Sequence, residues 1–132
     1  MDFLDRLKDF MEGLPFTPSV IYIGTYNENK NSVAIRPAPS NIDERYMEEG
    51  KIYPFSFQVL MHNQSNNVSY DSLNQLTSAL DNLDSRAITS RDGSFNLVTM
   101  HCTTTPNYVQ KTGYGTLWTA IYQADLYIKG GN

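Results

Sequence analysis

The chain is poor in the residues that usually carry chemistry. It has one cysteine and two histidines in 132 residues. A lone Cys102 excludes an intrachain disulfide and implies a reducing compartment or indifference to redox conditions. A catalytic thiol would need a lowered pKa and a base. The adjacent His101 points to the opposite face if both lie in a strand, so Cys102 reads as a small core residue. Neither His62 nor His101 has a second His or a Cys at metal-ligand spacing, and hydrogen-bonded or polar-face roles are expected for both. Charge is also scarce. Charged residues make up 18% of the chain and the formal net charge is −4. There is no basic stripe, which argues against a groove that grips nucleic acid through its phosphates. No apolar run approaches 18 residues, and neither a secretory core segment nor a lipidation motif occurs, so a soluble protein made in the cytoplasm is expected.

Recognisable site motifs are missing as well. Gly113-Tyr-Gly115 has neither the spacing nor the strand-to-helix setting of a phosphate cradle. Asp43-Glu44 and Glu48-Glu49 lack the alternating Asp/Asn-with-Gly pattern of a calcium loop. No serine or threonine sits in a nucleophile elbow. No catalytic, cofactor-binding or metal-ligating residue is therefore assigned, and no cofactor is expected.

What is present is patterning. In Lys51-Ile-Tyr-Pro-Phe-Ser-Phe-Gln-Val-Leu-Met-His62 the residues Tyr53, Phe55, Phe57, Val59 and Met61 fall on every second position. A period of two reads as a strand with one buried face. The same alternation returns in Trp118, Ala120, Tyr122, Ala124, Leu126 and Ile128, where the two alanines predict a closely packed helix. Ser19–Ile23 and Ser32–Arg36 read as two strands of a hairpin with a long Asn-rich tip at 24–31. Arg86–Thr89, the turn Ser90-Arg-Asp-Gly93 and Phe95–Thr104 read as a second hairpin. Residues 104–115 read as a loop.

Two helices are expected. Phe3, Leu4, Leu7, Phe10, Met11 and Leu14 form one apolar stripe, with Asp2 as N-cap and Gly13 with Pro15 ending the run. Tyr70, Leu73, Leu76, Leu80 and Leu83 form a second, capped by Ser69 or Asp71, with Asp81 and Asp84 set against the macrodipole at its end. Phe55, Phe57 and Val59 are expected between the sheet and this second helix. Runs of strands separated by a helix argue one α+β domain over 1–132, an antiparallel or mixed sheet with two helices on one face.

The irregular segment 37–51 is longer than most connections in a compact domain. Tyr46 and Met47 within it either anchor the loop to the body or await a partner. The acidic balance is local. Residues 1–12 carry four acidic and two basic side chains, and residues 43–51 likewise, each a net −2, which together account for the whole −4. Both clusters read as solvated faces. Asn, Ser and Thr number 12, 11 and 11, a composition suited to strand faces, hairpin loops and caps. Nine tyrosines and six phenylalanines stand against one tryptophan. Tyr22, Tyr26, Tyr46, Tyr108 and Tyr114 fall in or beside loops, where tyrosine serves interfaces as well as packing.

Val33-Ala-Ile-Arg-Pro37, Asp43-Glu-Arg-Tyr46 and Pro54-Phe-Ser-Phe-Gln-Val-Leu60 resemble a family of small bacteriophage minor capsid proteins. Members of that family look like the tail terminators, or head-tail joining proteins, of long-tailed phages. The opening helix, Asp92-Gly-Ser-Phe95, Thr105-Pro-Asn-Tyr-Val109 and Tyr114-Gly-Thr-Leu-Trp-Thr-Ala120 extend the resemblance over nearly the whole chain. It implies a structural virion protein that joins a ring, a hexamer in the virion, at the head-proximal end of the tail tube. The partners it implies are other copies of itself, tail-tube proteins and head-connector proteins. DNA would pass at most through the ring lumen, no membrane is involved, and the family has no catalytic residue or cofactor to carry over. Arg36, Arg45 and Tyr46, in an exposed, proline-stiffened loop, are the expected contact residues. The alternatives are a small α+β ligand-binding domain or enzyme with a sheet–helix pocket, and another virion part such as a head-completion or stopper protein.

Overall fold

A computed structural model describes residues 1–15, 17, 20–38 and 51–128 of the chain, Lys51 by its backbone alone. The elements run α1 (Phe3–Glu12), β1 (Tyr22–Ile23), β2 (Ser32–Pro37), β3 (Lys51–Asn63), α2 (Asn66–Leu80), β4 (Phe95–Lys111) and β5 (Thr116–Ile128). The strands form one mixed sheet in the order β1-β2-β3-β5-β4. The fold is α+β, with both helices on one face, as the patterning implies.

Alternation in β3 and β5 decides which face is covered. These strands pair antiparallel along their whole length, from Lys51 opposite Ile128 to Asn63 opposite Thr116. Phe57, Val59, Ala120, Tyr122, Ala124 and Leu126 are buried in one core with Phe3, Leu7 and Met11 of α1 and Leu73, Leu76 and Leu80 of α2. Phe3 sits at the centre, its ring 5.2 Å from Phe55, 6.0 Å from Phe57 and 5.4 Å from Phe95. Phe57 stacks on Tyr122 at 5.4 Å. The Thr77 hydroxyl donates to the Leu73 carbonyl, so Tyr122 must donate to Thr77 Oγ1, 2.8 Å away. That bond satisfies a deeply buried phenol, whose pKa burial pushes above its ordinary range. Phe55 departs from expectation. It is half-buried and packs against Phe3 of α1, because α1 covers the Lys51 end of the strand.

Several local expectations give way to tertiary pairing. β1 pairs with β2 parallel, Tyr22 opposite Ala34 and Ile23 opposite Ile35, so there is no hairpin over 19–36. Both strands place apolar side chains well in either direction. Here the 24–31 connection folds back over the sheet, so β2 re-enters in the direction of β1. Residues 86–89 make a single bridge, Thr89 to Asn96, rather than a strand. Within the turn Gly93 adopts φ 77°, which a side chain would disfavour. The segment 104–111, read as loop, continues β4 against β5, and the strand has four register shifts between Leu97 and Gln110. β4 is an edge strand, where bulges and Pro106 are tolerated.

The helix caps were also displaced. Ser65 caps α2, its hydroxyl accepting from Val68 N–H at 3.2 Å, and Ser69 lies inside the helix, fully buried. Asn66 and Asn67, ahead of the caps expected at Ser69 or Asp71, already belong to the first helical turn. Asp2 stands at the N-cap of α1 without capping it through its side chain. Its carboxylate accepts from Ser90 Oγ at 2.8 Å and from Arg91 N–H at 2.8 Å, latching the 90–94 turn to the helix. Asp81, unfavourable for the α2 dipole, accepts from Cys102 N–H at 3.1 Å. Asn82 N–H donates to Met100 O at 2.8 Å beside it. Together they close part of the outer edge of β4, which would otherwise invite pairing with another strand.

Candidate functional site

An opening lies at the end of the sheet where β3 finishes and β5 begins. It is a cleft of about 490 Å³ between the 24–31 connection and the β4–β5 turn, lined by Tyr26, Glu28, Asn29, Gln110, Thr112, Gly113 and Tyr114. Its walls come from segments more than 80 residues apart in sequence. What joins them is His62, near the end of β3 and fully buried.

Alternation puts His62 on the sheet face opposite the helices, with Leu60 and Ala34. There Ala34, Leu60 and Leu117 form a second small core beneath Tyr22 and Tyr26. His62 Nδ1 lies 3.1 Å from Asn27 O and 3.2 Å from Lys30 O. Carbonyl oxygens only accept, so Nδ1 is the donor nitrogen. In that tautomer Nε2 accepts from the Thr112 hydroxyl at 2.7 Å. Thr112 Oγ1 in turn accepts from Gly115 N–H at 2.9 Å, and Thr112 N–H donates to Gly115 O at 2.8 Å. One imidazole thus ties both loops to the sheet. Tyr26 and Tyr114 flank the ring, with centroids 4.7 and 5.4 Å from it.

The 24–31 wall is stiffened from within. Asn27 N–H donates to Ser32 Oγ at 2.9 Å, and that hydroxyl donates back to Asn27 O at 3.1 Å. Asn29 N–H donates to Asn27 Oδ1 at 2.8 Å, and Gln64 N–H to Asn31 Oδ1 at 3.0 Å. Lys30 turns away from the cleft, its Nζ 5.9 Å from the Tyr22 ring centroid. The Lys30 ammonium and the Asn27 side chain beside it hold the Tyr22 phenol below its ordinary pKa. The opposite wall depends on Gly115. A side chain there would meet the backbone of Asn63, and Gln64 Cα only 2.7 Å away.

The residues that the sequence marks out are scattered. Arg36 is exposed at the end of β2, its Nε donating to Gln58 Oε1 at 2.9 Å, while Arg45 and Tyr46 lie outside the described residues. His101 faces the helix-free side opposite Gln123. Cys102 is half-buried against the main core, and its thiol donates to Thr104 O at 3.3 Å. Burial pushes that thiol pKa up, the reverse of activation. The organising role of His62 escaped sequence reasoning, because its partners lie 32 to 50 residues away. The loop tyrosines Tyr26 and Tyr114 carried a partial signal.

The space between sheet and helices is filled by core side chains, with a smaller opening of about 110 Å³ at its margin, lined in part by Val33, Met61, Val68 and Ser72. Among the described residues no group of His, Cys, Asp or Glu is placed to hold a metal ion. No helix among them is long and apolar enough to cross a membrane.

A family described as bacteriophage tail terminator protein matches residues 11–128, nearly the whole chain. No curated protein matches it.

Proposed function

Because the chain belongs to the bacteriophage tail terminator protein family, a structural family of the phage tail, we propose that it closes the head-proximal end of a long-tailed phage tail tube as a ring, a hexamer in the virion, and joins tail to head. The single observation that carries this reading is the family match over residues 11–128. In this role the protein is a minor virion component made in the host cytoplasm. Its action is assembly rather than catalysis, and its partners are copies of itself, tail-tube proteins and head-connector proteins. DNA passes only through the lumen.

The architecture suits a ring subunit. Asp81, Asn82 and the bulges of β4 discourage strand addition at that edge, so contacts fall to side chains and loops. A heterologous contact that closes makes every joint identical. Arg36 is exposed at the mouth of the 37–51 segment, and Arg36, Arg45 and Tyr46 are the residue types that dominate interfaces. We assign them to the subunit contact. A sheet–helix ligand pocket, the rival reading, draws no support from a space packed with Phe57, Tyr122, Leu73 and Leu76.

The test is genetic and structural together. Deleting the gene should give tails of uncontrolled length or tails that fail to join heads. Arg45→Glu with Tyr46→Ala should reproduce that outcome while leaving the fold intact. Normal particles from the double variant would remove this segment from the contact. Normal particles from the deletion would end the proposed function.

A further inference from the structure

We infer that the cleft between the 24–31 connection and the β4–β5 turn receives a basic side chain, Lys or Arg, presented on a loop of a different virion protein. The inference rests on the reading of the chain as an assembly component.

The lining chemistry selects this occupant. Tyr26 and Tyr114 offer aromatic rings, Glu28 the single formal charge, and Asn29, Gln110 and Thr112 donors and acceptors. Among the described residues no aliphatic side chain lines the cleft, so an apolar ligand would gain little burial there. Among the described residues no basic side chain lines it either, so a phosphate or carboxylate would meet Glu28 without a counter-charge. Lys30 shares the loop, yet its ammonium lies toward Tyr22, and Lys111 is outside the lining. A cation beside tyrosine rings and a carboxylate is attracted by both. Tyr, Asn, Gly and Thr on loops over a rigid sheet are also the means by which antibody loops recognise protein surfaces: stiff aromatic area with adaptable hydrogen bonding. A volume of about 490 Å³ exceeds one guanidinium and leaves room for the backbone that carries it.

Preorganisation supports binding rather than filler. His62 and Ser32 fix the 24–31 wall, and His62 with the Thr112–Gly115 pair fixes the other, before any ligand arrives. The cleft stands at the Asn63 end of β3, whereas Arg36, the described residue of the assigned subunit contact, lies opposite Gln58, five residues away. That is roughly 17 Å along the strand. A subunit contact made at Arg36 therefore leaves the cleft free for another protein.

The test uses the whole chain labelled with ¹⁵N and titrated with acetyl-Gly-Arg-Gly-amide, with Gln and Glu peptides of the same length as controls. The Arg peptide should shift the amide resonances of Glu28, Asn29, Thr112 and Gly113 at millimolar concentration, and the controls should not. Glu28→Gln, an exposed substitution that leaves the fold untouched, should weaken the Arg peptide roughly fivefold. In phage, Glu28→Lys should give folded protein and few head-joined tails. Equal shifts from Arg and Gln peptides, no shift at all, or normal particles from Glu28→Lys would overturn the inference. A null titration beside a deletion that still blocks assembly would remove the cleft and leave the proposed function standing.

Discussion

Gly115→Ala should destabilise the protein sharply, whereas Gly113→Ala two residues earlier should not. An added methyl at Gly115 lies 2.7 Å from Asn63 C and from Gln64 Cα, with Asn63 O closer still. Ordinary carbon contacts sit near 3.5–4.0 Å, and the obstacle is backbone paired in the sheet, so the turn must retreat by about 1 Å. Overpacking of this kind costs about 1–3 kcal/mol. The retreat also stretches the bonds from Gly115 N–H to Thr112 and from Thr112 to His62. Leaving the buried Nε2 of His62 without its partner costs about 1–3 kcal/mol more. The expected total is roughly 2–6 kcal/mol. At Gly113 nothing lies within 4 Å of the added carbon. Alanine there should change stability by less than about 0.5 kcal/mol. Urea unfolding followed by the fluorescence of Trp118, the single tryptophan, measures both. A loss below about 1 kcal/mol for Gly115→Ala, or equal losses for the two variants, would refute the close approach of the turn to β3.

Phe57→Ala removes a fully buried ring between Phe3 and Tyr122 and should cost about 3–5 kcal/mol in the same melts; a loss below about 1 kcal/mol would contradict its place in the core. Asp2→Asn should cost about 1 kcal/mol near neutral pH by weakening the latch on residues 90–94. Burial raises the Asp2 pKa, but hydrogen bonds from Ser90, Arg91 and Asp92 outweigh it and leave the pKa lowered. A lowered folded pKa contributes stability above the unfolded value near 4 and loses it as pH falls through the folded value. The gap in melting temperature between wild type and Asp2→Asn should therefore shrink below about pH 4; a gap constant down to about pH 2 would place the effect elsewhere.

Much of the fold was legible because its signals are local and periodic. The alternation of Tyr53 to Met61 and of Trp118 to Ile128 marked the two central strands and their buried faces. Ala120 and Ala124 marked where a helix packs close. The stripes at Phe3, Leu7 and Met11 and at Leu73, Leu76 and Leu80 identified both helices and the sides they bury. Errors gathered where a residue serves a distant partner better than its own segment. Asp2 reads as a cap but holds the 90–94 turn, and Asp81 reads as a dipole mismatch but occupies the edge of β4. Thr105 to Lys111, with Pro106 inside it, reads as loop because an edge strand with bulges loses its alternation.

The sequence by itself determined the class of the molecule, the faces of its main elements and the tail terminator resemblance, since each is written in neighbouring residues or in their order. Only the tertiary structure decided that β1 and β2 run parallel, that β5 enters between β3 and β4, and that His62 fastens two loops into a cleft. Those outcomes depend on contacts between residues tens of positions apart. Many sequences satisfy the same periodicity, and the choice among their possible pairings is made by the energy of the whole packed chain.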